Sequence, residues 1–119
     1  MRQRPSPTQA LDGVDTGAMT RFYVVVNEAG PAWARGTPMR EQVAWSEHAV
    51  FMDALTAEGF VVLGGPLGDG SPHRAMLVVD APSEEEVERR LAADPWQRDG
   101  LLTVSSIQPW EVLLDGRSG

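Results

Sequence analysis

His48 is the residue of this sequence whose type and position best suit proton chemistry. The chain has two histidines and no cysteine, so thiolate chemistry is excluded and imidazole is the natural group to titrate near neutral pH. His48 recurs at helical spacing with Ala44, Phe51 and Leu55, which places it on the inward stripe of a predicted helix. Such a histidine can move a proton to or from a bound substrate. The alternative is a buried neutral histidine that hydrogen-bonds to the backbone.

Other polar side chains give weaker signals. Arg40 lies two helical turns before His48 on the same predicted stripe, where its guanidinium can bind a phenolate or carboxylate substrate. The alternative for Arg40 is a solvated position near the helix start. Asp69 and His73 flank a glycine-rich turn, and with His48 they supply too few converging ligands for a metal site. We therefore interpret Asp69 and His73 as surface-turn residues.

Four tryptophans are a high number for a chain of 119 residues. They are Trp33, Trp45, Trp96 and Trp110. Aromatic side chains can wall a pocket for a ring-shaped substrate, and core packing or a dimer interface explains tryptophan equally well. Trp96 follows Asp94-Pro95, a pair that predicts the N-cap and first-turn proline of a short helix.

Charge and composition exclude several classes of partner. The net charge is −7 at pH 7 and the basic residues are scattered, whereas phosphate backbones require clustered positive charge. No apolar run approaches the roughly 20 residues needed to cross a bilayer, and residues 1–19 lack the apolar stretch of a signal peptide. We expect neither nucleic acid nor membrane as a partner, and a cytoplasmic protein. No metal or nucleotide motif is present, so we expect no cofactor.

The chain divides into one domain and two tails. Residues 1–19 are polar and rich in proline and glycine, which predicts a flexible N-terminal tail. Residues 20–115 have the length and apolar content of a single domain with its own core. Residues 116–119 form a short C-terminal tail.

Hydrophobic periodicity predicts the order β, α, β, β, α, β. Apolar runs on both alternating faces indicate strands, and stripes at helical spacing indicate helices. Gly64-Gly65-Pro66 is expected to break the second strand, and Pro109 to interrupt the last one. The elements are a strand over Phe22–Val26, a helix over 38–58 capped by Thr37-Pro38, strands over Phe60–Leu63 and His73–Val79, a helix beginning with the capping box Ser83–Glu86, and a strand over Leu102–Leu114.

This order predicts an α+β, ferredoxin-like fold. Two right-handed crossovers place both helices on one face of a four-stranded antiparallel sheet. The strands are apolar on both sides, but two helices cover only one of them. A small domain rarely leaves a large apolar sheet face in water. We therefore predict a homodimer packed through the open face of the sheet.

The order and spacing of several short motifs resemble the YCII-related family over about residues 21 to 114. The motifs are His48, Leu55, Gly59, Gly64-Gly65-Pro66-Leu67, Asp94-Pro95-Trp96 and Pro109-Trp110. The resemblance implies a ferredoxin-like fold in the dimeric α/β-barrel superfamily. It also implies an active site with a histidine–aspartate pair, which falls on His48 and Asp94 of this sequence. Trp96 and Trp110 occupy motif positions, where they can wall an aromatic pocket.

Some members of the family act as dehydrochlorinases on hydroxylated or chlorinated rings, and muconolactone isomerases share the wider fold. The resemblance therefore implies a cofactor-free lyase or isomerase acting on a small cyclic or aromatic acid or phenol. His48 and Asp94 would be catalytic, and Arg40, Trp96 and Trp110 would bind the substrate. One alternative is a non-catalytic protein that holds a small-molecule ligand in the same pocket. Another is a haem-handling oxygenase with His48 as axial ligand.

Overall fold

In the computed structural model, residues 22–117 form a four-stranded antiparallel sheet with three helices. The predicted α+β, ferredoxin-like architecture is confirmed. The predicted flexible tail over 1–19 lies outside the described residues, as do residues 118 and 119. The elements are β1 (Phe22–Ala29), a 3₁₀ helix (Met39–Glu41), α1 (Trp45–Ala57), β2 (Val61–Leu67), β3 (Arg74–Asp80), α2 (Glu84–Leu91), α3 (Pro95–Arg98) and β4 (Leu102–Trp110).

The strands lie in the order β2-β3-β1-β4, so β1 is central and pairs antiparallel with β3 and β4. Successive side chains of a strand point to opposite sides of the sheet. Tyr23, Val25 and Asn27 of β1 are buried beneath the helices, on what we call the helix face. Phe22, Val24 and Val26 are half-buried on the other side, which we call the open face. Within β1, the side chains on the helix face are therefore more deeply buried than those on the open face.

The helix face carries the main core. Leu55 of α1 and both Val87 and Leu91 of α2 pack against Val25 and Val79 at the centre of the sheet. Burying each of these side chains contributes about 1.5–3 kcal/mol. This packing holds both helices on one side of the sheet, as the βαββαβ order predicts.

The capping box that was predicted to begin α2 is only half formed. The Ser83 hydroxyl accepts a hydrogen bond from the backbone N–H of Glu86, as predicted. The Glu86 carboxylate does not return to the cap, because it accepts hydrogen bonds from the guanidinium of Arg89 one turn further on.

The first helix begins later than the sequence predicts. Instead of a helix from residue 38, a 3₁₀ helix is followed by Ala44 in the left-handed region at φ 62°, and α1 begins only at Trp45. The reason is Gln42, whose buried side chain accepts from the N–H of Ala34 and donates to the carbonyls of Ala34 and Thr37. Such bonds to the backbone compete with helix formation.

Two strand predictions also need correction. Gly64-Gly65-Pro66 lies inside β2 and does not break it, and Pro109 lies inside a continuous β4. Both strands are at the edges of the sheet, where each pairs with one neighbour only. A proline is tolerated there because its missing N–H is needed only on the side that faces a partner strand.

The C-terminal residues beyond β4 lie against the open face without regular structure. Val112 and Leu114 line a shallow pocket together with Phe22, Val62 and Val78. This contact explains why Val78 is buried although it points away from the helices. Within residues 22–117, none of the helices combines the length and apolar character needed to cross a bilayer.

Candidate functional site

The structure brings His48 and Asp94 into direct contact, although they are far apart in sequence. His48 lies in the first turn of α1, and its Nδ1 is 2.9 Å from both carboxylate oxygens of Asp94. Since a carboxylate can only accept hydrogen bonds, Nδ1 carries the proton and donates it. In the neutral ring Nε2 is then a hydrogen-bond acceptor, and it has no partner among residues 22–117.

Asp94 is held in place by the short helix that it caps. Its Oδ1 accepts a hydrogen bond from the backbone N–H of Trp96 at 3.0 Å, and Pro95 occupies the first helical position of α3. The predicted N-cap is therefore confirmed. The same buried carboxylate also meets His48, because its oxygens offer several lone pairs. The cap fixes the position of the Asp94 carboxylate, and the fixed carboxylate in turn orients the imidazole ring of His48.

Tryptophan side chains enclose the His48 ring. The Trp96 ring stacks flat on it, with a centroid distance of 3.9 Å and an interplanar angle of 8°. Trp96 is 1% exposed, and its Nε1 donates to the carbonyl of Val43 at 2.7 Å. Trp45 lies tilted at 5.9 Å from His48. Because the face of a tryptophan attracts cations, this stack suits an imidazolium formed during proton transfer.

His73 is buried, and its interpretation as a surface-turn residue was wrong. It is 7% exposed and stacks on Trp33 with a centroid distance of 4.2 Å and an angle of 9°. Trp33 in turn meets Trp96 edge-on at 5.4 Å. Burial lowers the pKa of His73, and the nearby positive charge of His48 lowers it further. Spacing in the sequence could not show this burial, because it depends on the loop that carries Trp33.

That loop is fixed to the start of β4. The backbone N–H of Gly30 donates to the carbonyl of Leu101, and that of Ala32 donates to the carbonyl of Gly100. A Cβ on Gly30 would lie 2.2 Å from the Gly100 oxygen, so only glycine allows this close approach. The contact places Trp33 over Trp96 and His73.

The other two predicted substrate-binding residues lie elsewhere. Arg40 is exposed in the 3₁₀ helix, not on the stripe of α1, because that helix begins five residues later. Its guanidinium lies 5.7 Å from the ring centre of Trp45, which separates it from His48 by one aromatic side chain. Trp110 pairs with Phe22 at the end of β4 and points to the open face. Within one chain, the structure does not bring Trp110 to His48.

A buried amide pair near the site was missed by the sequence analysis. Asn27 of β1 is buried, and its Oδ1 accepts a hydrogen bond from Nε2 of Gln97 in α3 at 3.0 Å. This bond ties the helix that carries Asp94 and Trp96 to the central strand. The available signal was a polar residue in register with Tyr23 and Val25 on the buried side of β1. In the part of the chain that the structure describes, no three metal-ligating side chains converge.

Comparison with known proteins agrees with this fold. The model of the YCII-related domain matches residues 21–111 of the chain. No curated protein sequence matches it. The chain is similar to the solved structure of 5-chloro-2-hydroxyhydroquinone dehydrochlorinase from Burkholderia phenoliruptrix in complex with 2,5-dihydroxybenzoquinone. The two are 22% identical with a TM-score of 0.51, and the match covers 75% of this chain and 93% of that one.

A second similar structure is a structural genomics protein designated YJCS. It is 13% identical to this chain with a TM-score of 0.50, and the match covers 78% of this chain and 98% of that one. Both neighbours are of the dimeric α/β-barrel superfamily. At these identities the two structures show a shared fold alone.

Proposed function

This chain belongs to the YCII-related domain family, and we propose that it is a cofactor-free lyase or isomerase for a small cyclic or aromatic acid or phenol. The observation that carries the proposal is the contact of both Asp94 oxygens with Nδ1 of His48, which leaves Nε2 available to a substrate. The similar dehydrochlorinase acts on a chlorinated hydroxyquinol, which supports a ring of this kind. Cytoplasmic location stays a prediction from the sequence.

The proposed chemistry is proton transfer at Nε2 of His48. In a dehydrochlorination, a ring hydroxyl proton first moves to the chlorinated carbon, which gives a keto tautomer. Nε2 then takes the proton of a second ring hydroxyl, whose O–H electron pair forms a carbonyl, and the displaced ring double bond expels chloride from the sp3 carbon. The proton then passes to solvent, so the enzyme returns to its starting state. Asp94 holds the tautomer in which Nε2 is the base and stabilises the imidazolium that forms. The flat contact with Trp96 favours the same cation.

The decisive test is chloride release from 5-chloro-2-hydroxyhydroquinone by the purified protein. Replacing His48 with alanine removes the base, and we expect turnover to fall by a factor on the order of 10²–10⁴. Asp69 is an exposed turn residue, so Asp69→Asn is a control that should leave turnover unchanged. A folded His48→Ala variant with wild-type turnover would contradict the proposal.

Asp94 allows its structural and chemical roles to be separated. Asp94→Asn keeps an oxygen that can accept from the N–H of Trp96, but it removes the charge that faces His48. Asp94→Ala removes both, and loss of the cap destabilises the fold by about 1 kcal/mol. If turnover falls in both variants while stability falls only in Asp94→Ala, the carboxylate acts in the chemistry. Full turnover in Asp94→Asn would restrict it to capping.

A non-catalytic binding protein is the second candidate, and the limited access to His48 favours it. Only 13% of the His48 side chain is exposed. In this case ring compounds would raise the melting temperature without being converted, and His48→Ala would change affinity alone. Thermal shift measured beside turnover on the same compounds separates the two functions.

We also propose that the protein is a homodimer joined through the open face. Phe22, Val24 and Val26 of β1 are half-buried there, and Leu63 of the edge strand β2 is 52% exposed. Membership of both structural neighbours in the dimeric α/β-barrel superfamily supports the same arrangement. Sedimentation at micromolar concentration should give twice the chain mass of 12.9 kDa. A monomer under these conditions would contradict the proposal.

A further inference from the structure

His73 lies at a position where its ring faces the candidate site. Its carbonyl accepts a hydrogen bond from the N–H of Ala29 at 3.1 Å, which extends the pairing of β1 with β3 by one residue. Because side chains alternate along a strand, His73 shares the helix face with Val25 and Asn27. The residue that starts β3, Arg74, and its partner Glu28 point to the open face, so their charges lie on the other side of the sheet.

The ring nitrogens of His73 have no hydrogen-bond partner among residues 22–117. Among these residues, no side-chain nitrogen or oxygen is both fully buried and without a partner. The nitrogens must therefore reach solvent, although the residue as a whole is 7% exposed. A buried histidine whose function is only packing usually hydrogen-bonds through its nitrogens. His73 instead presents a polar edge that a ligand can meet.

A continuous series of aromatic contacts links the two histidines. His48 stacks on Trp96, Trp96 meets Trp33 edge-on, and Trp33 stacks on His73. The plane of each imidazole is inclined by 9° or less to the plane of the tryptophan on which it stacks. The planes of the two tryptophans are nearly perpendicular, at 84°. The imidazole rings of His48 and His73 are therefore held in fixed orientations that differ from each other. The charge of His48 also contributes to the lowered pKa of His73, after the effect of burial.

We propose that His73 is a second ligand-contacting residue of the His48 site, which hydrogen-bonds an oxygen of a ring substrate whose reacting end meets Nε2 of His48. The identity of the substrate class rests on the proposed function above. A ring with oxygen substituents on two edges, such as a hydroxyquinone or a dihydroxylated phenol, suits two separated imidazoles. A neutral imidazole has one donor and one acceptor, so His73 can bind either a carbonyl or a hydroxyl.

The electrostatics support a division of roles between the two rings. Burial and the charge of His48 lower the pKa of His73, which keeps it neutral at neutral pH. Asp94 contacts His48, and no carboxylate forms an ion pair with His73 among the described residues. A neutral ring at His73 does not repel the imidazolium that forms on His48. Groups with such different environments in one site are typical of separate proton-transfer and binding roles.

The first experiment needs no ligand. The chain has only two histidines, so their ring signals are assigned by nuclear magnetic resonance from wild type and the His48→Ala variant. We expect His73 to titrate below its ordinary range in wild type and at higher pH in His48→Ala, because a nearby positive charge is removed. An unchanged titration of His73 would overturn the shared site, whatever the substrate is.

The second experiment measures binding of 2,5-dihydroxybenzoquinone as a probe. His73→Phe keeps an aromatic ring on Trp33 but lacks the nitrogens, so we expect affinity to fall about threefold to tenfold, the effect of one hydrogen bond. Asp69→Asn lies in the same turn and should bind like wild type. Wild-type affinity in a folded His73→Phe variant would overturn the contact. Failure of the wild type to bind the probe would overturn the proposed substrate class and the contact with it, while the ligand-free titration decides the shared site separately.

Discussion

The two faces of the sheet consist of the same strands, yet they differ in what covers them. On the helix face, Val25 is completely buried beneath α1 and α2. On the open face, its neighbours Val24 and Val26 are half-buried, and Trp110 is 44% exposed. All of these side chains are apolar, so composition does not cause the difference. The helix face is covered by helices of the same chain, whereas the residues beyond β4 cover only part of the open face.

The helix face also differs along its length. Its centre is an apolar core, whereas polar side chains gather at the end that contains the start of α1 and the whole of α3. His48, Asp94, His73 and the Asn27–Gln97 pair all lie there, each held by a stacked tryptophan or a hydrogen bond. The same face therefore supplies both the core that stabilises the fold and the rigid surroundings that chemistry requires.

Trp96 and Trp110 test the contrast between the faces most strongly. Trp96→Ala removes a buried ring from the helix face, and we expect the free energy of unfolding to fall by about 3–5 kcal/mol. Trp110→Ala should destabilise an isolated chain far less, because its ring is exposed. If the open face is the dimer interface, Trp110→Ala instead weakens association, which sedimentation over a range of concentrations detects. Equal loss of stability in both variants at all concentrations would contradict the contrast.

Adjacent valines in β1 give a closer comparison. Val25→Ala should lower the free energy of unfolding by about 1–3 kcal/mol, because it removes two methyl groups from a fully packed site. Val24→Ala removes the same groups from the open face. If the open face is the dimer interface, we expect its effect to grow with protein concentration, since binding of a partner stabilises the folded state by mass action. Chemical denaturation at two protein concentrations checks both expectations.

Two adjacent glycines in β2 extend the comparison to the sheet edge. A Cβ on Gly64 would lie 2.6 Å from a methyl carbon of Leu77 on the helix face, whereas a Cβ on Gly65 meets nothing within 4 Å. We expect Gly64→Ala to destabilise the chain by about 1–3 kcal/mol through overpacking. Gly65→Ala should be nearly neutral in thermal unfolding. A stable Gly64→Ala variant would mean that Leu77 moves aside easily.

The smallest expected effect is a dependence of stability on pH that arises at His73. Its pKa is lowered in the folded state, so the unfolded chain takes up a proton near the ordinary value of 6.5 and the folded chain does so only at lower pH. The stability contributed by the neutral His73 is therefore fully present above about pH 6.5, and the free energy of unfolding decreases as the pH falls below that value. Melting temperatures from pH 8 to pH 5 should fall less steeply in His73→Phe. An identical slope in both proteins would exclude this cause.

The sequence predicted the fold closely but misplaced several element ends. The order of elements, the helix start at Ser83 and the short capped helix at Asp94-Pro95 follow from local rules, and all three are confirmed. The start of α1 was wrong because Gln42 takes part in bonds to a distant stretch of loop. The predicted break of β2 at Gly64-Gly65-Pro66 was wrong, because β2 is an edge strand and an edge strand tolerates proline. Only the order of the strands in the sheet decides which strands are at an edge.

For the candidate site, the sequence by itself determined which groups were available and that His48 would face inward, because helical spacing is a local property. Resemblance to a family supplied the partner Asp94. Only the tertiary structure decided that His73 is buried, that Trp33 and Trp96 connect the two histidines, and that Trp110 lies on the opposite face. These facts depend on how a loop, a short helix and the end of β1 meet in space. Contacts of this kind join residues far apart in the chain, where no local pattern of residue types can specify them.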